Sequence, residues 1–310
     1  MAIGLCCQYL QPHTKRNGTV EYKNSTNERN LQYGRFLEGK YPNTIIEDLW
    51  INNAKGLFST LKKIYSEGFR SFRVSSNLFP LHDLIGNMLD KCDDVKLVLE
   101  DIGKFVIENK MRLTSHPDQF VVISSNDISV INKSIKMLEH HAWVFDTMGL
   151  PKSPYYNINI HGGTKGNQET LINSIMSLKD NLKSRLTLEN DERSYSVSDL
   201  LNIYEQTNIP IVFDNHHHTF NMNNISCEDA FNLCCDTWGD IKPMTHLSNT
   251  KVGLENSSFT DRRKHSEYVH HIPKYMFDAN NNGKIDIEFE FKMKNIAIKK
   301  AVQEFQINLG

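Results

Sequence analysis

The chain has 310 residues, 39% hydrophobic and 23% charged, enough for one large single-core fold. It has no apolar run near the ~18 residues needed to span a bilayer, and its start, MAIGLCCQYLQPHTKR, has none of the regions of a secretion signal. With 35 basic and 37 acidic residues the net charge is −2, which argues modestly against a nucleic-acid binder, although a local basic groove or bound cations can supply the field that phosphates need.

The six cysteines show neither CxxC spacing nor the density of a disulfide framework, so reduced thiols and an intracellular, cytoplasmic setting are expected, with the nucleus not excluded.

In chain order, β-rich runs fall at residues 2–7, 71–76, 111–116, 156–162, 184–190, 209–215, 243–248 and 284–291. Between them lie segments with apolar residues three or four apart, such as AKGLFSTLKKIYSEG, DVKLVLEDIGKFVIENK and SVSDLLNIYEQTN. Repeated βα units imply right-handed crossovers and a parallel sheet, and eight of them predict a single (β/α)8 TIM barrel over residues 1–310. The rival is an open doubly wound sheet. No glycine-rich phosphate loop follows the first strand, which disfavours that fold and argues against a nucleotide cofactor. Residues 8–50 read as a long first loop with some helix, and 249–283 as a second long loop.

Ligand-type side chains recur at the C-terminal ends of these strands: Ser75 and Ser76, His116, His161, Glu189, Asp214 and His217, His246, Glu290. That face is the mouth at which such barrels carry their chemistry. For any one histidine a hydrogen-bonded structural role is commoner, but agreement at six strand ends points to metal. In IVFDNHHH, residues 211–218, alternation puts Asp214 and His216 on one face while His217 begins the turn, so Asp214 and His217 are expected to share an ion. His216 and His218 are expected to lie behind the ligands or at the surface. Imidazoles and carboxylates without thiolate suit Mn²⁺, Zn²⁺, Co²⁺ or Mg²⁺. There are more ligands than one ion needs, which implies two or three ions bridged by Glu189 and Glu290, an arrangement suited to phosphodiester hydrolysis.

A calcium-loop pattern begins at Asp278, but its twelfth position is Phe289 where a bidentate Glu is required, so the segment reads as a turn into the last strand.

The segments FRSFRVSSNLFPL (69–81), RLTSHPDQFVVISS (112–125), NINIHGGTKGNQE (157–169), RLTLENDE (185–192), IPIVFDNHHH (209–218), THLS (245–248), HSEYV (265–269) and IDIEFEFKMKN (285–295) together resemble the signature blocks of the UV damage endonuclease family, in the family's order. The resemblance implies a metal-dependent barrel that nicks double-stranded DNA immediately 5′ to cyclobutane pyrimidine dimers and (6-4) photoproducts, leaving a 3′-hydroxyl and a 5′-phosphate. It implies a manganese-type centre held by His116, His161, Glu189, Asp214, His217, His246, His265 and Glu290, with Glu189, Glu290 and His246 central to catalysis; His265 rests on the resemblance alone. It also implies that Gln119 and Phe120 enter the duplex and fill the gap left when damaged bases leave the stack. Lys165, after a glycine pair that permits close backbone approach, is expected to meet a DNA phosphate. Arg73 and Ser75 share one side of the second strand and can equally be polar partners inside the barrel.

The chain departs from the pattern at Met244, where the family often has a lysine able to bridge metals as a carboxylated amine. The first strand also lacks an aromatic residue after its glycine, for which Tyr9 is a candidate substitute from a shifted position. A monomer is expected. Three other readings remain open: an abasic-site endonuclease, a sugar isomerase or epimerase, and a non-catalytic damage-binding protein.

Overall fold

Eight short runs of apolar residues become strands buried on both faces, and a parallel sheet covered by helices is the arrangement such runs fit. The computed structural model of the protein describes residues 2–26 and 28–307. Its strands are β1 (Ala2–Cys6), β2 (Leu10–Thr14), β3 (Val20–Asn24), β4 (Ser71–Val74), β5 (Arg112–Ser115), β6 (Ile158–His161), β7 (Leu186–Glu189), β8 (Ile211–Asp214), β9 (Met244–Leu247) and β10 (Asp286–Phe289). The order β1-β10-β9-β8-β7-β6-β5-β4 closes into a barrel in which every pairing is parallel, as the (β/α)8 reading predicts.

The helices that return each strand carry local signals of their own. Asp127, Ser196 and Ser226 each accept a backbone N–H at a helix start, and Ser196 with Asp199 makes a full capping box. Helix Asn43–Ser66 turns Ile46, Trp50, Ala54, Leu57, Leu61 and Ile64 inward, and all six are fully buried.

Residues 8–50 contain helix, as expected of this long loop, and in addition a hairpin that was not expected. They hold the antiparallel hairpin β2–β3 and the start of helix Asn43–Ser66, which begins well before the segment read as helical. Four of the five β2 residues are exposed, so the hairpin has almost no hydrophobic alternation to betray it. Its turn is set by Gly18 at φ +82°. Residues 249–283 likewise contain helices Phe259–Arg262 and Lys274–Asn281. The second of these runs through Asp278–Asn281, so the first positions of the calcium-like pattern are helical rather than loop, and Gly283, at φ +72°, makes the turn into β10.

The two ends of the barrel are chemically distinct. At the N-terminal end the fully buried Arg112 donates to the Lys242 carbonyl at 2.9 Å and to Asp286 at 3.2 Å, while Lys242 reaches the other Asp286 oxygen at 2.7 Å. Met244 lies near this floor, packed with Val212, Trp238 and Ile241. The C-terminal end holds the imidazoles and carboxylates.

Candidate metal centre

Strand register brings the ligand-type residues together. His161 pairs with Glu189 across β6–β7, Asp214 with His246 across β8–β9, and Glu288 with His246 across β10–β9. Glu189 lies at the middle: its carboxylate is 3.1 Å from His116 Nε2, 3.3 Å from His217 Nδ1 and 3.2 Å from His246 Nδ1. His116, His161 and Glu189 form one set of convergent ligand atoms; Glu189, Asp214 and His217 form a second; Asp214, His246 and Glu290 form a third, all within 4.8 Å inside each set. Glu189 and Asp214 each belong to two sets, so each is placed to bridge.

The hydrogen bonds leave these side chains poised for cations. His116 Nδ1 faces the Pro117 carbonyl at 3.0 Å, His217 Nδ1 the Asn190 carbonyl at 3.1 Å, and His265 Nδ1 the Glu290 carbonyl at 2.9 Å. A carbonyl can only accept, so it fixes the proton on Nδ1 and leaves Nε2 as the ligand nitrogen. Two buried atoms of the same sets, His161 Nδ1 and Asp214 Oδ2, have no hydrogen-bond partner among the described residues. A buried polar atom without a partner is costly, and a cation is the partner both lack. This donor set fits divalent metal.

The electrostatics agree. Burial pushes the Glu189 carboxyl up, but His246, His161, His116 and His217 outweigh it and hold it well below the ordinary range. Burial pushes His246 down, but Glu189 and Glu288 together outweigh burial and Arg73 and raise it to about 10. Burial also leads for Asp214 and raises it despite the opposing pull of His217. Such displacements mark an excess of charge gathered in one place.

Other candidates fall on the rim or outside. His265 touches Glu290 at 3.8 Å and packs beside His216 and His217, but it joins none of the three sets. The chain after Asp214 turns at once into a helical turn, Asn215–His218, capped by the Asp214 carboxylate at 2.7 Å from His217 N; His216 is therefore not on the strand face with Asp214. Neither it nor His218 is at the surface: His216 packs against Phe220, and His218 Nε2 donates to the Ile225 carbonyl at 3.0 Å. Tyr9 is buried away from the mouth, its hydroxyl 2.5 Å from Glu67, and replaces no aromatic there.

Gln119 and Phe120 are both exposed on the loop after β5 and face different hollows. Gln119 joins Arg73, Ser75, Ser76, His116, His161, Glu189, His217 and Glu290 around a cavity of about 520 Å³, whereas Phe120, 61% exposed, borders a neighbouring one with His82, His140 and Trp143. Lys165 is exposed on the loop after β6. The glycine pair before it serves packing within the protein: a Cβ on Gly162 would meet the Tyr195 ring at 2.4 Å, and one on Gly163 would meet Ser124 Oγ at 2.5 Å.

Sequence reading did not commit to Arg73 and missed Glu288. Arg73 Nη2 lies 2.5 Å from Glu288 and 2.6 Å from Glu290, deep in the site. It also missed Asn159, whose side-chain amide donates to Glu189. Lys264, Lys292 and Lys294, which border a third cavity of about 380 Å³ with Arg73, His265 and Glu290, were missed as well. For Arg73, Asn159 and Glu288 the signal was strand alternation, since each lies two residues before a site residue or strand-end polar residue.

Comparison with known proteins gives three findings. The family model described as UV-endonuclease UvdE matches residues 20–308. A UV DNA damage endonuclease of Nostoc sp. is 36% identical over 262 residues, covering 82% of this chain and 77% of its own. The crystal structure of SacUVDE superposes with a TM-score of 0.78 and 28% identity over 99% of this chain and 98% of that one.

Proposed function

The chain belongs to the UV-endonuclease UvdE family, and from that premise we propose that it is a metal-dependent endonuclease that nicks double-stranded DNA immediately 5′ to cyclobutane pyrimidine dimers and (6-4) photoproducts. The products are a 3′-hydroxyl and a 5′-phosphate, and the enzyme acts as a monomer. The observation that carries this reading is the triple ligand set, linked through Glu189 and Asp214, with His116 and His217 held by backbone carbonyls at Nδ1. It supports two or three divalent ions of the manganese type, with Zn²⁺, Co²⁺ and Mg²⁺ as alternatives. Such ions, when bound, supply charge to neutralise the phosphate and acidify the attacking water.

The protein's own part is to position and exclude. His116, His161, His217 and His246 with Glu189, Asp214 and Glu290 form the cage; His265 completes its rim from the loop after β9. Gln119 and Phe120 fill the space vacated by the damaged bases, from a ridge beside the cage. Lys165, Lys264, Lys292 and Lys294 offer local positive charge for the phosphates that a net charge of −2 does not provide.

The test is a nicking assay on a duplex with one thymine dimer, beside an abasic-site duplex and an undamaged control, with Mn²⁺ or chelator. A Mn²⁺-dependent cut immediately 5′ to the dimer is expected. Cutting at the abasic site alone, or an equal cut with chelator, overturns the proposal.

A further inference from the structure

We propose that Glu288 is a positioning residue of the metal centre, the buried carboxylate that fixes the tautomer of His246 and thereby holds that imidazole in its ligating orientation. The inference rests on the metal-dependent reading above but concerns the cage alone.

His116, His217 and His265 each have a backbone carbonyl at Nδ1. Among the described residues, His161 and His246 are the ligand candidates with no such carbonyl contact; His161 Nδ1 has no partner at all, whereas both ring nitrogens of His246 are engaged by side chains. His246 Nδ1 lies on the cage side, 3.2 Å from Glu189 and 3.5 Å from Glu290, and with a cation on that nitrogen the ring keeps its proton on Nε2. The acceptor at Nε2 is Glu288, at 3.3 Å. Arg73 Nη2 also lies 3.0 Å from Nε2, but a guanidinium has no acceptor, and the same Nη2 is already directed to Glu288 and Glu290. Among the described residues, the group at Nε2 that can accept the imidazole proton is therefore the Glu288 carboxylate.

The fold makes room for this carboxylate and anchors it. Glu288 is 1% exposed, one layer beneath the cage. Its Oε1 accepts from Thr114 Oγ1, and its Oε2 from Arg73 Nε at 2.6 Å and Cys6 Sγ at 3.9 Å. Opposite it stands Gly4, where a Cβ would come within 2.7 Å of Glu288 Cγ. Arg73 balances the charge and links Glu288 to Glu290, so one buried ion pair ties His246 and Glu290 into one unit. Met244, two residues before His246, is packed at the barrel floor and can offer no polar contact.

The test needs no DNA. Mn²⁺ binding to the parent, Glu288→Gln, Glu288→Asp and Gly4→Ala is titrated by electron paramagnetic resonance, with the melting temperature of each metal-free protein measured alongside. Glu288→Gln is expected to weaken Mn²⁺ binding roughly 10- to 100-fold, as outer-shell changes typically do, and Glu288→Asp to recover part of it. Gly4→Ala keeps every charge but displaces the carboxylate, and is expected to weaken binding in the same direction. Parent-like Mn²⁺ affinity in both Glu288→Gln and Gly4→Ala overturns the proposal. So does a loss that merely follows a fall in metal-free melting temperature and is absent from whichever variant stays as stable as the parent. Because binding is read without substrate, failure here is separate from failure to nick a dimer.

Discussion

Phe120→Ala separates the wedge from the scaffold. Phe120 is 61% exposed, so folding covers only about two-fifths of a side chain that can bury ~200 Å², roughly 80 Å². At about 25 cal/mol per Å² that is at most ~2 kcal/mol of stability, and less against a realistic unfolded chain. The remaining ~120 Å² is free to be covered by bases, a ceiling of about 3 kcal/mol, in line with the ~1–3 kcal/mol measured per base stacked on an aromatic residue. Phe120→Ala is therefore expected to weaken binding to a dimer-containing duplex by about 5- to 150-fold, while Mn²⁺ affinity is unchanged. Fluorescence anisotropy in the presence of chelator, with labelled dimer and undamaged duplexes side by side, reads the effect without cleavage. Binding of the dimer duplex within two-fold of the parent would refute the wedge, and so would an equal loss on undamaged DNA.

Glu189→Gln removes a charge that lies within 3.3 Å of three imidazoles and belongs to two ligand sets, so Mn²⁺ affinity should fall by at least ~100-fold and nicking with it; full nicking under saturating Mn²⁺ would sink the proposed mechanism. Gly162→Ala sets a Cβ 2.4 Å from the buried Tyr195 ring, and thermal melts should show a loss of ~1–3 kcal/mol, the usual cost of overpacking; an unchanged melt would mean the loop repacks freely. His141 is buried and hydrogen-bonded to Ser115 at 2.7 Å, and burial lowers it from 6.5 to about 3. The unfolded chain binds this proton below pH 6.5 and the native state does not, so the stability it contributes is full above 6.5 and is lost as pH falls toward 3. Between pH 7 and 5 that is about 2 kcal/mol at ~1.4 kcal/mol per unit, and denaturant unfolding of His141→Gln should show a shallower slope by that amount.

The barrel was legible because its strands are buried on both faces and read as apolar runs, each closed by a polar residue at the mouth. His116, His161, Glu189, Asp214 and His246 could be named from that position alone, since the end of a barrel strand points into a shared space. The hairpin β2–β3 was not legible, because Pro12 and exposed polar residues leave its strands without periodicity. Neither were the burial of His216 and His218, which depends on a one-turn helix capped by Asp214, nor the true site of Tyr9, whose partner Glu67 lies 58 residues away.

Glu288 shows a different limit. Alternation along IDIEFEF puts Glu288 and Glu290 on one face, and a sequence reading keeps the strand-end residue and discards the inner one as an unusual core residue. Only the closed barrel shows why it is tolerated: Gly4 gives it space, Arg73 neutralises it, and Thr114 and His246 fill its lone pairs. A buried carboxylate without these partners would cost several kcal/mol. With them it is a fixed acceptor beneath the cage. The polar layer just inside the mouth therefore belongs to the same chemical unit as the ligands above it, and its members come from β1, β4, β5, β9 and β10, strands far apart in the chain.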